Sequence, residues 1–251
     1  MDSYVKLNIE NSIGTIEFFH PQSNSLPSDL LNKIANTIKD VSMNDDVKVV
    51  ILKSGGDRAF CAGASFDELL DIKDAQSGKE FFLGFANVIN AVRKCPKFII
   101  GRVQGKAVGG GVGIASSVDY CFASKFASIK LSELSIGIGP FVVGPPIERK
   151  IGLSAFSQLA INATDWHDAS WAREKGLFFE LYENTEEMDV AILNLANKLS
   201  LSNPDSMKEL KEIMWEGTSH WDALLIERAT ISGERVLSDF TKKTLEKLKK
   251  K

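Results

Sequence analysis

The sequence has few of the residues that build disulfide-stapled or metal-bound proteins: three cysteines and three histidines in 251 residues. Cys61, Cys95 and Cys121 stand in different contexts and form no CxxC pair, so neither a disulfide framework nor a zinc site is expected. No apolar run approaches the ~20 residues needed to cross a bilayer. The opening MDSYVKLNIE lacks the basic and apolar regions of a secretory signal, which favours a cytoplasmic location. Charge of one sign is also missing. Thirty Lys+Arg against 33 Asp+Glu leave a net charge of -3, so neither nucleic acid nor a membrane surface is expected as a partner. What remains is 44% hydrophobic and 25% charged, the composition of an ordinary globular protein with a large core.

Hydrophobic periodicity organises the chain. Val5, Leu7 and Ile9 alternate with polar residues as in a half-buried strand, Asn11-Ser12-Ile13-Gly14 offers a turn, and Thr15–Phe18 reads as the returning strand. Leu30, Leu31, Ile34, Ala35 and Ile38 recur at helical spacing and predict a helix over 28–42. Val47–Leu52 reads as a nearly buried strand. A second round follows: a helix over 78–94, short strands at Phe98–Ile100, Val118–Ala123 and Ala127–Ile129, and a glycine-rich stretch from Gly105 to Gly113. Beyond about residue 140 helices dominate, with one short strand near Phe178–Leu181. Asn203-Pro204-Asp205 combines a capping side chain, proline at the first helical position and an acid at the positive dipole end. The six lysines of Thr241–Lys251 read as a solvated helical tail. The expectation is an α/β core over 1–195 with a helical portion over 196–251.

Three stretches could carry chemistry. Gly109-Gly110-Gly111-Val112-Gly113 lacks the glycine spacing of a dinucleotide fingerprint. Lys106 is followed by Ala107, which excludes a phosphate loop. It is either a close helix–strand crossing or a helix start whose open N–H groups face a ligand oxygen. Ala59–Asp67 follows a strand and precedes a helix, with small residues that leave backbone N–H groups accessible. Ser65 misses the second glycine of a nucleophile elbow, where Asp67 stands, and His20, His167 and His220 sit in no supporting motif. Cys61 reads as a small buried hydrophobe. Glu133 is a lone carboxylate in the apolar, glycine-punctuated Ile129–Gly137, where burial would raise its pKa towards a usable base.

Together these segments resemble the crotonase, or enoyl-CoA hydratase/isomerase, family. The resemblance runs through Pro21–Leu26 with its Asn-x-Leu, Asp46–Leu52, Ala59–Ala64, Ala107–Gly111, Asp119 and Leu134–Gly137, nearly the whole chain. It implies a spiral of β-β-α units followed by C-terminal helices that build a homotrimer or a dimer of trimers. It implies an acyl-CoA thioester as substrate, with coenzyme A part of that substrate and no separate cofactor or metal. The family's oxyanion-hole amides fall on Ala64 and Gly110. Ala62 would meet the adenine, and Ala64, Ser65, Phe66 and Asp67 would line the pantetheine path.

Of the family's two hydratase glutamates, the second falls on Glu133, while the first falls on Gly113. The aspartate usual after the alanine is replaced by Ser65. Hydration needs one group to activate water and another to deliver a proton, whereas moving a double bond needs one base that takes and returns a proton. The expectation is therefore a Δ3-Δ2-enoyl-CoA isomerase using Glu133. One alternative is a hydratase of a branched or carboxylated enoyl-CoA such as methylglutaconyl-CoA, with Glu68 or Asp67 as the further acid. Another is a catalytically silent CoA-binding or assembly protein. An acyl pocket is expected from residues 66–90 and 136–150, walled by Phe81, Phe82, Phe85, Phe141 and Val142. Restoring the carboxylate with Gly113→Glu is expected to add hydratase activity.

Overall fold

A computed structural model describes residues 2–249. The N-terminal hairpin pairs β1 (Tyr4–Glu10) with β2 (Ile13–Phe19) antiparallel, Glu10 opposite Ile13. Its two-residue turn, Asn11 and Ser12, has positive φ at both positions, the backbone twist that a tight hairpin requires. β3 (Ser25–Leu26) leads into α1 (Ser28–Ser42), whose buried stripe is the one expected from its spacing.

From there the chain repeats one plan. β4 (Val49–Ser54), β7 (Phe98–Val103) and β9 (Tyr120–Ser124) each begin a unit in one sheet. β5 (Ala59–Cys61), β8 (Lys106–Val108) and β10 (Ser128–Lys130) each follow in a second sheet. The first unit adds β6 (Gly63–Ala64), α2 (Phe66–Asp71) and α3 (Ala75–Lys94), and the second adds α4 (Gly110–Ser117). The third passes through a 3-10 turn at Leu134–Ile136 into α5 (Gly144–Ile161). Then come β11 (His167–Asp168), α6 (Ala169–Glu174) and β12 (Glu180–Tyr182). β4, β7, β9 and β12 lie side by side in chain order, all parallel, as do β5, β8 and β10. Each turn of chain therefore advances one strand in both sheets. This is a spiral of β-β-α units.

Because the larger sheet is covered on both faces, its central strands are apolar without alternation. Val49 and Ile51 face α7 (Thr185–Ser200), which contributes Met188, Ile192 and Ala196. Val50 and Leu52 face the main core with Leu30, Leu31, Ile34 and Ile38 of α1. The expected junction at 195–196 lies within α7. α8 (Pro204–Met214) starts at Asn203, whose side chain accepts from the N–H groups of Asp205 and Ser206, as its sequence foretells. α9 (Trp221–Arg235) lies directly on α3: a Cβ on Gly78 would stand 2.8 Å from Gly233 Cα. α10 (Asp239–Lys249) packs against α2 and the 3-10 turn.

A buried ion pair fastens α8. Lys211 Nζ lies 2.8 Å from Asp119 Oδ2, with side chains 2% and 4% exposed. Asp119 also accepts from Ile99 N and Trp215 Nε1, and Lys211 donates to Lys97 O. The aspartate after the glycine-rich helix is thus a structural anchor for α8 on β7.

Candidate functional site

The glycine stretch opens a helix and also crosses β5 closely, since a Cβ on Gly111 would stand 2.7 Å from Cys61 Cβ. Gly109 has φ 51° and ψ -113°, donates its N–H to Lys130 O, and turns the chain from β8 into α4. Gly110 is then the first helical residue, where N–H groups have no partner four residues upstream. On the neighbouring strand Gly63 has φ 88°, and a Cβ there would sit 2.8 Å from Val108 O and 3.6 Å from Gly110 N. Only glycine lets the Gly63-Ala64 turn approach Gly110 so closely. The Cys61 thiol accepts the Gly63 N–H at 3.3 Å, and burial pushes its pKa up to about 12, so it shapes this turn and is no nucleophile. Asn24, the Asn of Asn-x-Leu, bonds Gly55 O and Ala59 O and fixes the entry to β5.

Ala62, Ala64, Phe66, Gly110 and Glu133, five of the expected site residues, line one cavity of about 70 Å³. Its walls are largely apolar: Leu69, Phe82, Phe85, Ile136, Ile138, Phe141 and Val142 among them. Phe81 stands behind the wall, edge-on to Phe82 and Phe85. Glu133 precedes the 3-10 turn, and its backbone carbonyl accepts from Ile136 and Ile138. Its side chain meets Gly109, where an added Cβ would lie 2.7 Å from Oε1. Oε2 is enclosed and has no hydrogen-bond partner. Burial raises this carboxyl from its ordinary 4.5 to about 7. It is the one titratable side chain among the described residues lining the cavity.

Ser65 and Asp67 are not brought into the cavity. Ser65 caps α2, its Oγ accepting from Glu68 N, because the turn out of β6 needs a capping side chain more than a wall. Asp67 points to solvent, where Gln22 and Lys249 hold its carboxyl below the usual range. Glu68 is also engaged elsewhere, accepting from Ser28 N at the start of α1.

The model for enoyl-CoA hydratase/isomerase matches residues 8–246. The chain belongs to that family. It is 30% identical over 215 residues to the short-chain-enoyl-CoA hydratase of Clostridium acetobutylicum, covering 85% of this chain and 81% of that protein. It is 24% identical to the trans-2-decenoyl-acyl-carrier-protein isomerase of Streptococcus mutans, covering 84% and 81%. The fold matches an enoyl-CoA hydratase structure from Bacillus halodurans with a TM-score of 0.89 and 21% identity, covering 98% of this chain and 100% of that one. The protein is thus an enzyme of the enoyl-CoA hydratase/isomerase family, whose members act on acyl-CoA thioesters. Among the described residues no helix is long and apolar enough to cross a membrane, and no His/Cys/Asp/Glu cluster could hold a metal ion.

One feature of this family member bears on the expected effect of Gly113→Glu. A Cβ on Gly113 would stand 2.6 Å from Val143 Cβ and Cγ1. Val143 must therefore shift before a side chain at Gly113 can be accommodated. Sequence gave no sign of this, because Val143 lies thirty positions downstream in the loop before α5. Ser232 of α9, another lining residue, was equally invisible: it arrives through the Gly78–Gly233 helix crossing.

Proposed function

We propose that the protein is a Δ3-Δ2-enoyl-CoA isomerase with Glu133 as its single base. The thioester oxygen would lie against the Ala64 and Gly110 N–H groups, which stabilise the enolate as charge develops. Glu133 takes a proton from C2 of a 3-enoyl-CoA, the electron pair spreads over C2–C4 and the thioester carbonyl, and the proton returns to C4. The double bond moves from C3–C4 to C2–C3 and no atom is gained or lost. Ala62 is assigned to the adenine side and Phe66 to the pantetheine path.

The observation that supports this reading is the buried Glu133 carboxyl, with Oε2 unpartnered, in a cavity whose described lining offers no second acid. A hydratase reading draws on the likeness to the short-chain-enoyl-CoA hydratase of Clostridium acetobutylicum and needs a further acid. Asp67 and Glu68, its candidates, are both committed to other partners. A panel of 2-enoyl- and 3-enoyl-CoAs, followed for consumption and water incorporation, tests the proposal. Faster conversion of 3-enoyl substrates is expected. Efficient hydration of crotonyl-CoA would overturn it, and turnover of any substrate excludes a silent CoA-binding role.

We also propose a homotrimer or dimer of trimers with the helices beyond residue 200 in the interface. Leu210, Ile213 and Met214 of α8 form an exposed apolar stripe at helical spacing, 50%, 61% and 42% exposed, which supports a protein partner there.

A further inference from the structure

We propose that the substrate's acyl group ends, far from the thioester, in a free carboxylate held by Arg228. The inference rests on the reading of the cavity as the acyl site. Beyond Pro140 and Phe141, which border both, the cavity adjoins a groove of about 690 Å³. One side of this groove is apolar, with Leu153, Phe156 and Leu224. At its α9 wall stands Arg228, whose Nε is enclosed and has no hydrogen-bond partner. Its guanidinium forms no ion pair among the described residues. Arg149, the other guanidinium of the groove, is stacked over the Trp215 ring, and Glu148 and Glu216 also line the groove, so the ligand's anionic end must lie on the Arg228 side.

Helix α9 lines both sites. Ser232 lines the cavity and Arg228 lines the groove, one helical turn apart, about 6 Å along the axis. Ser232 Oγ donates to the Arg228 carbonyl, tying the two positions together across that turn. A ligand leaving the Glu133 end of the cavity past Phe141 therefore meets apolar wall and then an unpaired guanidinium. A buried donor without a partner costs stability, and a planar guanidinium is matched by a carboxylate's two oxygens. A chain with an apolar middle and an anionic end satisfies both stretches. A plain alkyl chain satisfies only the first.

The test compares matched pairs of 3-enoyl-CoAs of six, eight and ten carbons, one member of each pair carrying a terminal carboxylate. At the best-fitting length the carboxylated member should be preferred in kcat/KM by about 10–100-fold, the worth of a charged hydrogen-bonded pair. Arg228→Met should bring that ratio close to one, Arg228→Lys should keep part of it, and Arg228→Glu should reverse it. Dissociation constants for the saturated carboxylated and plain acyl-CoAs, measured by calorimetry, should show the same ratios without any chemistry. If no 3-enoyl-CoA turns over, the isomerase reading falls while these binding ratios still decide the role of Arg228. A preference for the plain member at every length, or a ratio that Arg228→Met leaves unchanged, overturns the proposal.

Discussion

Replacing Glu133 by glutamine should make the protein more stable and less active, with both effects governed by pH. Burial moves the carboxyl from its ordinary 4.5 to about 7, which corresponds to about 3 kcal/mol between its two protonation states. The folded protein holds this proton more tightly than the unfolded chain does. The carboxyl's stabilising contribution is therefore complete below about pH 4.5 and is lost as pH rises to about 7. A glutamine carries no charge at any pH. At pH 8 Glu133→Gln should exceed the wild type by up to about 3 kcal/mol, or about 6–12 °C in Tm for a domain of this size. The difference should shrink towards zero by about pH 4.5. Turnover should fall by about 10²–10⁴ because the amide cannot take a proton. In the wild type kcat/KM should rise with pH through about 7 and level off above it, since the base acts when ionised. Urea unfolding of both proteins from pH 4.5 to 8.5, with initial rates alongside, measures all three. A variant no more stable than wild type at pH 8, or a difference that ignores pH, would refute the enclosed-carboxyl argument.

Gly110→Ala should cut turnover by about 10²–10³, because its Cβ would stand 2.1 Å from the Phe85 ring and displace the helix start that presents the N–H. The check is kcat of a variant shown to be folded by circular dichroism. Lys211→Ala should destabilise by about 3–5 kcal/mol, leaving Asp119 buried without its cation, as read from denaturant midpoints. Light scattering should find a trimer or hexamer, and Leu210→Glu combined with Ile213→Glu should lower its mass; a wild-type monomer at micromolar concentration speaks against that interface. Gly113→Glu alone should destabilise by overpacking Val143, whereas Gly113→Glu with Val143→Ala should admit the carboxylate and raise hydration of a 2-enoyl-CoA relative to isomerisation. That ratio is the measurement, and a double variant that folds but leaves it unchanged would remove Gly113 from the question.

The sequence made the long elements readable because each carries its own period. α1 needed only its five apolar positions, and the hairpin only its alternation and turn. β4 lies two residues later than expected, since the apolar run begins before the ladder does: Val47 is buried but bonds Asn44 within a turn. α3 begins earlier than its apolar pattern suggests because Asp74 and Ser77 form a reciprocal cap. β5, β6 and β8 have three residues or fewer and show no period at all, yet they carry the turns at Gly63 and Gly109. The site was legible where backbone chemistry restricts residue type, as at Gly110 and in the Ala62–Ala64 stretch. It was illegible where distant side chains decide the space, as with Val143 and Ser232.

The lone carboxyl has a consequence for the choice between the two family reactions. With two acids close together, each would push the other's pKa up and the pair would divide the roles of base and acid. Here burial alone does the raising, so near pH 7 Glu133 is found in comparable amounts with and without its proton. A group in that condition gives a proton about as readily as it takes one. Hydration draws on two groups at two positions at once, one on water and one on carbon. Allylic isomerisation asks a single group to do both in succession. On the proposed isomerase reading, Val143 packed against Gly113 would leave a second carboxylate no room at that position without repacking.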